Sequence, residues 1–252
     1  MVISRDDAVQ TVVEDNTFEY AHGTVMIFAW MVFASTAILF ARYGRAIRFG
    51  SKDKFFGEKN WFQIHRLLAC LTSAITLLGF FLILVQTNAE WVGVDEGQTF
   101  VHSVLGGIIV CCALWQAWMA LFRCHPDGSH RFIFNWLHRL TGSLAFFLSI
   151  PAIFIIVEQL GKNRTGMIII LSLWSIWVVC IVIILEVIQF FFRKISKKAV
   201  SQRYETEPSR TRAENDDGSA TKSWNNLLLV LFSLHFVISI ALAIPLIVLI
   251  WN

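Results

Sequence analysis

The sequence has few charged residues, and this scarcity excludes an ordinary soluble domain. Soluble domains carry about a quarter of their residues as Asp, Glu, Lys or Arg. In this chain of 252 residues the charged fraction is 15%, whereas the hydrophobic fraction is 56%. A composition this apolar and this poor in charge favours a protein that lies in a membrane.

Paired cysteines are also lacking, and we expect no leader segment. The five cysteines are odd in number and do not have the spacing of a disulfide framework or a zinc site, so no chemistry is assigned to them. Five of the first 19 residues are acidic, the opposite of a basic segment followed by an apolar core, and we expect no signal peptide. Residues 1–19 are instead predicted to form an acidic tail.

The charges that are present lie in clusters, which leaves six long uncharged windows. Crossing about 30 Å of hydrocarbon takes about 20 helical residues, and lipid offers backbone groups no hydrogen-bond partners. The windows have 18 to 30 residues and lie at 20–41, 67–89, 97–122, 140–157, 165–185 and 223–252. The sequence therefore predicts an all-α membrane protein with six transmembrane helices, referred to below as the first to the sixth span.

The loops between these windows alternate in charge. The first, third and fifth loops hold Lys and Arg, whereas the second, residues 87–99, has none. The positive-inside rule makes the basic loops cytoplasmic, so both termini are expected to be extracytoplasmic. We predict a core of five spans in residues 20–192 and a cytoplasmic charged linker in 193–222, of which 196–222 should be solvated and without fixed structure. The sixth span follows in 223–252.

Four histidines share one position, because each lies within about two turns of the N-terminal end of its span. They are His22, His65, His102 and His138 in spans one to four. Successive spans run in opposite directions, so His22 and His102 should occupy an outer layer and His65 and His138 an inner layer. Two histidines at one depth in a four-helix bundle can face each other, as the two axial ligands of a b-type haem do. The alternative is that each makes a polar contact between helices.

Small residues support the haem interpretation. Ala69, Gly106 and Gly142 follow three of the four histidines by one turn and lie on the same helix face, where a porphyrin needs room. A spanning helix is about 30 Å long, so the two histidine layers should be on the order of 20 Å apart. Two haems at these depths would give an electron path across the bilayer.

Other polar residues lie within or beside the spans. Arg66 and Arg139 each follow an inner histidine. They either extend to the cytoplasmic surface, or neutralise haem propionates and attract an anionic donor. Glu186 in the fifth span has no evident partner, and a structural contact is the simpler role. His235, in the middle of the sixth span, is predicted to make hydrogen bonds.

The ordered phrases around these histidines resemble the cytochrome b561 family, most closely the membrane part of the ferric-chelate reductase and stromal-cell-derived receptor type. The matching phrases are "HGTVMIFAWM" from His22, "WFQIHRLL" around His65, "HSVLGGIIV" from His102 and "ALFRCHPDGSHRFIFNWLHRLTG" through His138. The resemblance covers residues 20–251. It implies a transmembrane electron carrier with two haem b groups. One is held by the first and third of these histidines and the other by the second and fourth.

The resemblance also implies partners. Electrons would come from cytoplasmic ascorbate and pass to an outer ferric chelate or to monodehydroascorbate. The lipid bilayer is the surrounding partner, a homodimer is one option, and no nucleic-acid partner is expected. Two other functions stay open, namely an electron-relay subunit without its own substrate site and a haem-free membrane receptor or scaffold.

Two features depart from the family pattern. Ser103 follows His102 where relatives have Pro, and Arg139 follows His138 where relatives have Trp. Relatives also carry an extracellular reeler or DOMON domain before the first span, whereas about 20 residues precede it in this sequence. We therefore expect a short form or the absence of an outer redox module, which leaves the final acceptor open.

Overall fold

The computed structural model describes residues 16–46, 54–55, 58–122, 128, 130–160, 163–205 and 212–252. Within these ranges six helices are long and apolar enough to cross a membrane, as predicted. Their membrane-spanning parts are Thr17–Tyr43, Asn60–Gln86, Gln98–Leu121, Arg131–Gln159, Arg164–Ile195 and Trp224–Trp251. The prediction of an all-α membrane protein is confirmed.

Short elements connect some of the spans. A 3-10 turn, Gly44–Ala46, ends the first span, and another, Val94–Glu96, precedes the third. In the first loop Lys54–Phe55 pairs antiparallel with Glu58–Lys59 as a two-residue hairpin. These pieces lie in the connections between the first and second spans and between the second and third spans.

The first span is the central helix of the described part of the protein. In its most apolar 18-residue stretch 61% of the residues are buried, against 33% or less in the other spans. It packs against the second, fifth and sixth spans, while the third and fourth pack closely against each other. The second, third and fourth spans expose many large apolar side chains, for example Phe81, Leu121 and Phe147, as expected for surfaces that face lipid.

A π-helical segment, Phe28–Ala34, interrupts the first span at mid-membrane depth. Here the carbonyl oxygen of Met31 accepts a hydrogen bond from Ser35 Oγ at 2.6 Å and another from Trp174 Nε1 at 3.2 Å. A π-helical turn releases carbonyls from the regular ladder, so these polar side chains supply the missing partners in a region without water.

His235 joins the same network from the sixth span. Trp177 Nε1 donates to His235 Nδ1 at 3.2 Å, because an indole nitrogen can only donate. The proton of a neutral imidazole is then on Nε2, which lies 3.0 Å from Ser35 Oγ and donates to it. His235 is fully buried, and its predicted hydrogen-bonding role is confirmed.

The charged segment after the fifth span differs from the prediction. Residues 196–222 were expected to lack fixed structure, but the fifth helix continues to Glu205 and the last helix begins at Arg212. Residues 196–205 contain no Gly or Pro, so nothing in this stretch ends the helix that begins at Arg164. The predicted domain limits at 192 and 223 remain predictions.

Candidate metal centres in the membrane

The outer histidines face each other across the bundle. His22 lies in the first turns of the first span and His102 in those of the third. Their ring centres are 6.3 Å apart and their planes are inclined by 81°. Both side chains are half-buried. The structure thus brings together the two residues that equal depth predicted to be partners.

The inner histidines form a second pair of nearly the same geometry. His65 is near the start of the second span and His138 near the start of the fourth. Their ring centres are 6.2 Å apart and the planes are inclined by 84°. Two pairs that agree this closely, at opposite ends of antiparallel helices, point to one structural requirement met twice.

Backbone carbonyls fix three of the four rings. The Nδ1 atom of His22 lies 2.8 Å from the oxygen of Gly79, that of His65 2.9 Å from Ala37, and that of His102 2.9 Å from Ala152. A carbonyl can only accept, so each Nδ1 carries the hydrogen and donates it. Each neutral ring then keeps its lone pair on Nε2. This is the arrangement in which a neighbouring acceptor orients a metal-binding imidazole and raises its basicity.

The first two spans support each other reciprocally. His22 of the first span donates to Gly79 of the second, and His65 of the second donates to Ala37 of the first. Both pairings obey one antiparallel register between the two helices. A shift of that register would therefore disturb both layers together.

His138 has a different environment. Its ring stacks on that of Phe134, with centres 5.7 Å apart and planes inclined by only 7°. The guanidinium of Arg131 lies over the ring of Phe134. The amide Nε2 of Gln116 donates to the backbone carbonyl of His138 at 2.8 Å and also to Thr141 Oγ1. Side chains of the third and fourth spans thus fix this helix turn.

The pair geometry suits an iron held between two imidazoles. Two metal–nitrogen bonds of about 2 Å, with about 1.2 Å from each nitrogen to its ring centre, place the ring centres about 6.4 Å apart. The measured separations are 6.3 and 6.2 Å. In the described residues no group of three His, Cys, Asp or Glu side chains could hold a metal. Each pair therefore offers two protein ligands, the number that a bis-histidine haem uses.

The three predicted small residues differ in how much space lies beside them. A Cβ atom built at Gly106, one turn from His102, meets no atom within 4 Å, so this helix face has room beside it. At Gly142 the same atom would contact the amide of Gln116 at 3.5 Å. Ala69 is half-buried. The outer layer is thus the one with visible space next to the histidine.

The two predicted cationic residues are exposed. Arg66 and Arg139 directly follow the inner histidines, and the structure leaves both side chains accessible. Their location at the inner end is compatible with either role that the sequence allowed. Their contact with a cofactor stays a prediction.

Glu186 has partners that the sequence did not reveal. Its Oε1 accepts hydrogen bonds from Arg42 Nη2 at 2.6 Å and from Tyr43 Oη at 2.8 Å, at the end of the first span. Arg42 and Tyr43 are 144 and 143 positions from Glu186 in the sequence, so only the packing of spans one and five reveals these contacts. The cluster links the first and fifth spans, which agrees with the structural contact predicted for Glu186.

Fold and site define a class of protein, a multi-pass helical membrane protein with two bis-histidine pairs that suit haem iron. A family model for eukaryotic cytochrome b561 matches residues 21–161, which contain both pairs. The chain belongs to the eukaryotic cytochrome b561 family, a family of haem b proteins.

Curated relatives agree with this assignment. A homolog of ferric-chelate reductase 1 from Drosophila melanogaster is 34% identical over 189 residues, 73% of this chain and 27% of that protein. Ferric-chelate reductase 1 of Bos taurus is 32% identical over 146 residues, 58% of this chain and 23% of the relative. A cytochrome b561, DM13 and DOMON domain-containing protein of Arabidopsis thaliana is 29% identical over 174 residues, 66% of this chain and 18% of the relative.

The chain thus spans about a quarter of the length of the two reductase relatives. No solved structure matches the chain.

The sequence predicts which histidines face each other but not the groups that hold their rings. The acceptors at Gly79, Ala37 and Ala152 are backbone atoms, which carry no residue-type pattern. Gln116 could have been found, because it is an uncharged polar residue within the apolar third span.

Proposed function

We propose that the chain is a di-haem electron carrier, in which His22 and His102 hold an outer haem b and His65 and His138 an inner one. The observation that carries this proposal is the pair of matched imidazole separations, 6.3 and 6.2 Å, at two depths of one bundle. Haem b, when bound, supplies a reversible one-electron iron centre.

The residues of the chain would bind each haem and orient its histidine ligands. The Nδ1–H groups of His22, His65 and His102 donate hydrogen bonds to backbone carbonyls, which fixes each ring and keeps the lone pair on Nε2. The surrounding apolar helices exclude water, so the sites keep a low dielectric. Arg66 and Arg139 provide positive charge at the inner end, suited to propionates or to an anionic donor.

The spacing of the two layers explains why two sites are needed. His65 and Gly79, the acceptor for His22, lie in the same helix, 14 residues apart. At 1.5 Å per residue, the layers are about 21 Å apart along that helix. A single site could not serve both faces of a hydrocarbon layer about 30 Å thick.

We infer the direction of transfer from charge. The basic first, third and fifth loops favour a cytoplasmic location for the inner layer, with both termini outside. Ascorbate, an anion, suits the cationic inner end as the donor. Because relatives are named ferric-chelate reductases, we propose a ferric chelate as the outer acceptor.

The test begins with the absorption spectrum and haem content of the purified protein. We expect two haem b per chain, full reduction by ascorbate, and reoxidation by ferric citrate. Haem bands that ascorbate reduces but ferric citrate does not reoxidise would favour an electron-relay subunit. The absence of haem bands would overturn the proposal and leave a haem-free receptor or scaffold.

A further inference from the structure

Gly79 lies at a close contact between the first two spans. A Cβ atom built on it would lie 2.8 Å from Met26 Cε and 2.9 Å from Val25 Cγ2, closer than real Cβ atoms approach other heavy atoms. Gly79 itself is buried in the second span. Any side chain at this position must therefore displace the side chains of Val25 and Met26 or separate the two spans locally, at the level of Gly79.

The same glycine is the acceptor for an outer histidine. Its carbonyl oxygen is 2.8 Å from Nδ1 of His22, and the residues that crowd its Cα, Val25 and Met26, follow His22 by about one helical turn. The close approach of the two spans at Gly79 and the hydrogen bond from His22 therefore occur at the same helix–helix contact. Val25 is β-branched and cannot easily move aside, whereas Met26 is flexible.

We propose that Gly79 is a positioning residue for the outer haem. Because it lacks a side chain, the two spans approach closely enough for its carbonyl to hold the His22 imidazole. This inference rests on the proposed function, since it assumes that His22 is an iron ligand. A hydrogen bond from Nδ1 raises the basicity of the ligating nitrogen and stabilises ferric iron, so weakening the bond should raise the reduction potential of that haem alone.

The test is a spectroelectrochemical titration of the purified Gly79→Ala variant beside the wild-type protein. We expect the midpoint potential of one haem to rise and that of the other to stay in place. The same component should be the one that is lost in a His102→Ala variant, which identifies it as the outer haem. The matched control is Gly23→Ala, next to His22 but facing the sixth span, where a Cβ would meet Ile250 at an ordinary 3.6 Å. This control should shift neither potential.

A second variant covers poor folding of the first. Val25→Ala combined with Gly79→Ala removes the rigid atom that the new Cβ meets, so we expect this double variant to fold and its outer potential to return towards the wild-type value. Unchanged potentials in Gly79→Ala, an equal shift of both haems, or no recovery in the double variant would overturn the inference. Absence of haem from the wild-type protein would instead overturn the proposed function.

Discussion

The outer and inner histidine pairs have the same separation but different support. Both outer rings donate to backbone carbonyls, those of Gly79 and Ala152, whereas the inner pair combines one carbonyl, that of Ala37, with a ring stack on Phe134. Main-chain acceptors move only when helices move. Side chains can be replaced one at a time. The outer pair should therefore respond to changes in helix packing, and the inner pair to single side-chain substitutions.

The largest effect is expected from removing one ligand in each pair. His102→Ala should abolish the outer haem and His138→Ala the inner one, since each haem would lose its bond to one of the two helices that hold it. The haem-to-protein ratio of each purified variant should fall to half. Electron transfer from ascorbate trapped inside vesicles to an outside ferric chelate should stop in both. Loss of both haems from either variant would show that the two sites are not independent.

The second largest effect is expected from the cationic residues at the inner end, which the outer layer lacks. Replacing Arg66 and Arg139 together by Gln should slow reduction by ascorbate on the order of 10-fold at low salt, because a cationic surface attracts the anion. The difference should shrink as ionic strength rises. Stopped-flow reduction measures both effects. Arg164→Gln, at the opposite end of the bundle, is the control, and equal rates in the double variant and the wild-type protein would contradict a donor site at these arginines.

Gln116 tests the dependence of the inner pair on side chains. Gln116→Ala removes the donor to the His138 carbonyl and the contact with Thr141, so we expect a loss of about 1 kcal/mol in stability. The inner potential should shift and the outer one should not. Thermal unfolding followed in the haem band and a redox titration measure the two effects. Gln159→Ala, which removes an exposed contact with Gln98, is the control. A shift of the outer potential would contradict the assignment.

The smallest effect is expected at Phe134. Phe134→Leu keeps an apolar side chain but removes the stack on His138, a contact worth about 0.5 kcal/mol at this half-buried position. We expect a broader low-spin electron paramagnetic resonance signal from the inner haem, because its axial ring is less fixed. An unchanged inner signal would show that Gln116 and helix packing are sufficient to orient His138.

Much of the fold could be predicted from charge alone. The uncharged window at 20–41 lies within the helical span Thr17–Tyr43, since charged residues avoid hydrocarbon and so lie near the helix ends. Depth likewise predicted which histidines would meet. Antiparallel helices of similar length leave few other pairings.

The remaining features depend on packing and could not be predicted. Glu186 meets Arg42 and Tyr43 from far along the chain, and no local pattern connects them. The carbonyl acceptors are invisible in a sequence because every residue has one. The prediction for residues 196–205 was wrong because a polar composition does not exclude a helix, and these residues contain no helix breaker.

The π-helical segment Phe28–Ala34 bears on which changes of chain length the protein can tolerate. It lies between His22 and Ala37, the two residues of the first span that form histidine–carbonyl hydrogen bonds with the second span. A π-helical turn holds about one residue more than an α-helical turn, so deleting one residue there would leave regular α-helical winding with nearly the same rotation between the two halves of the helix. His22 and Ala37 would then both still face the second span. Relatives that share both hydrogen bonds can therefore have one residue fewer between these two positions, with a regular α-helix in place of the π-helical segment.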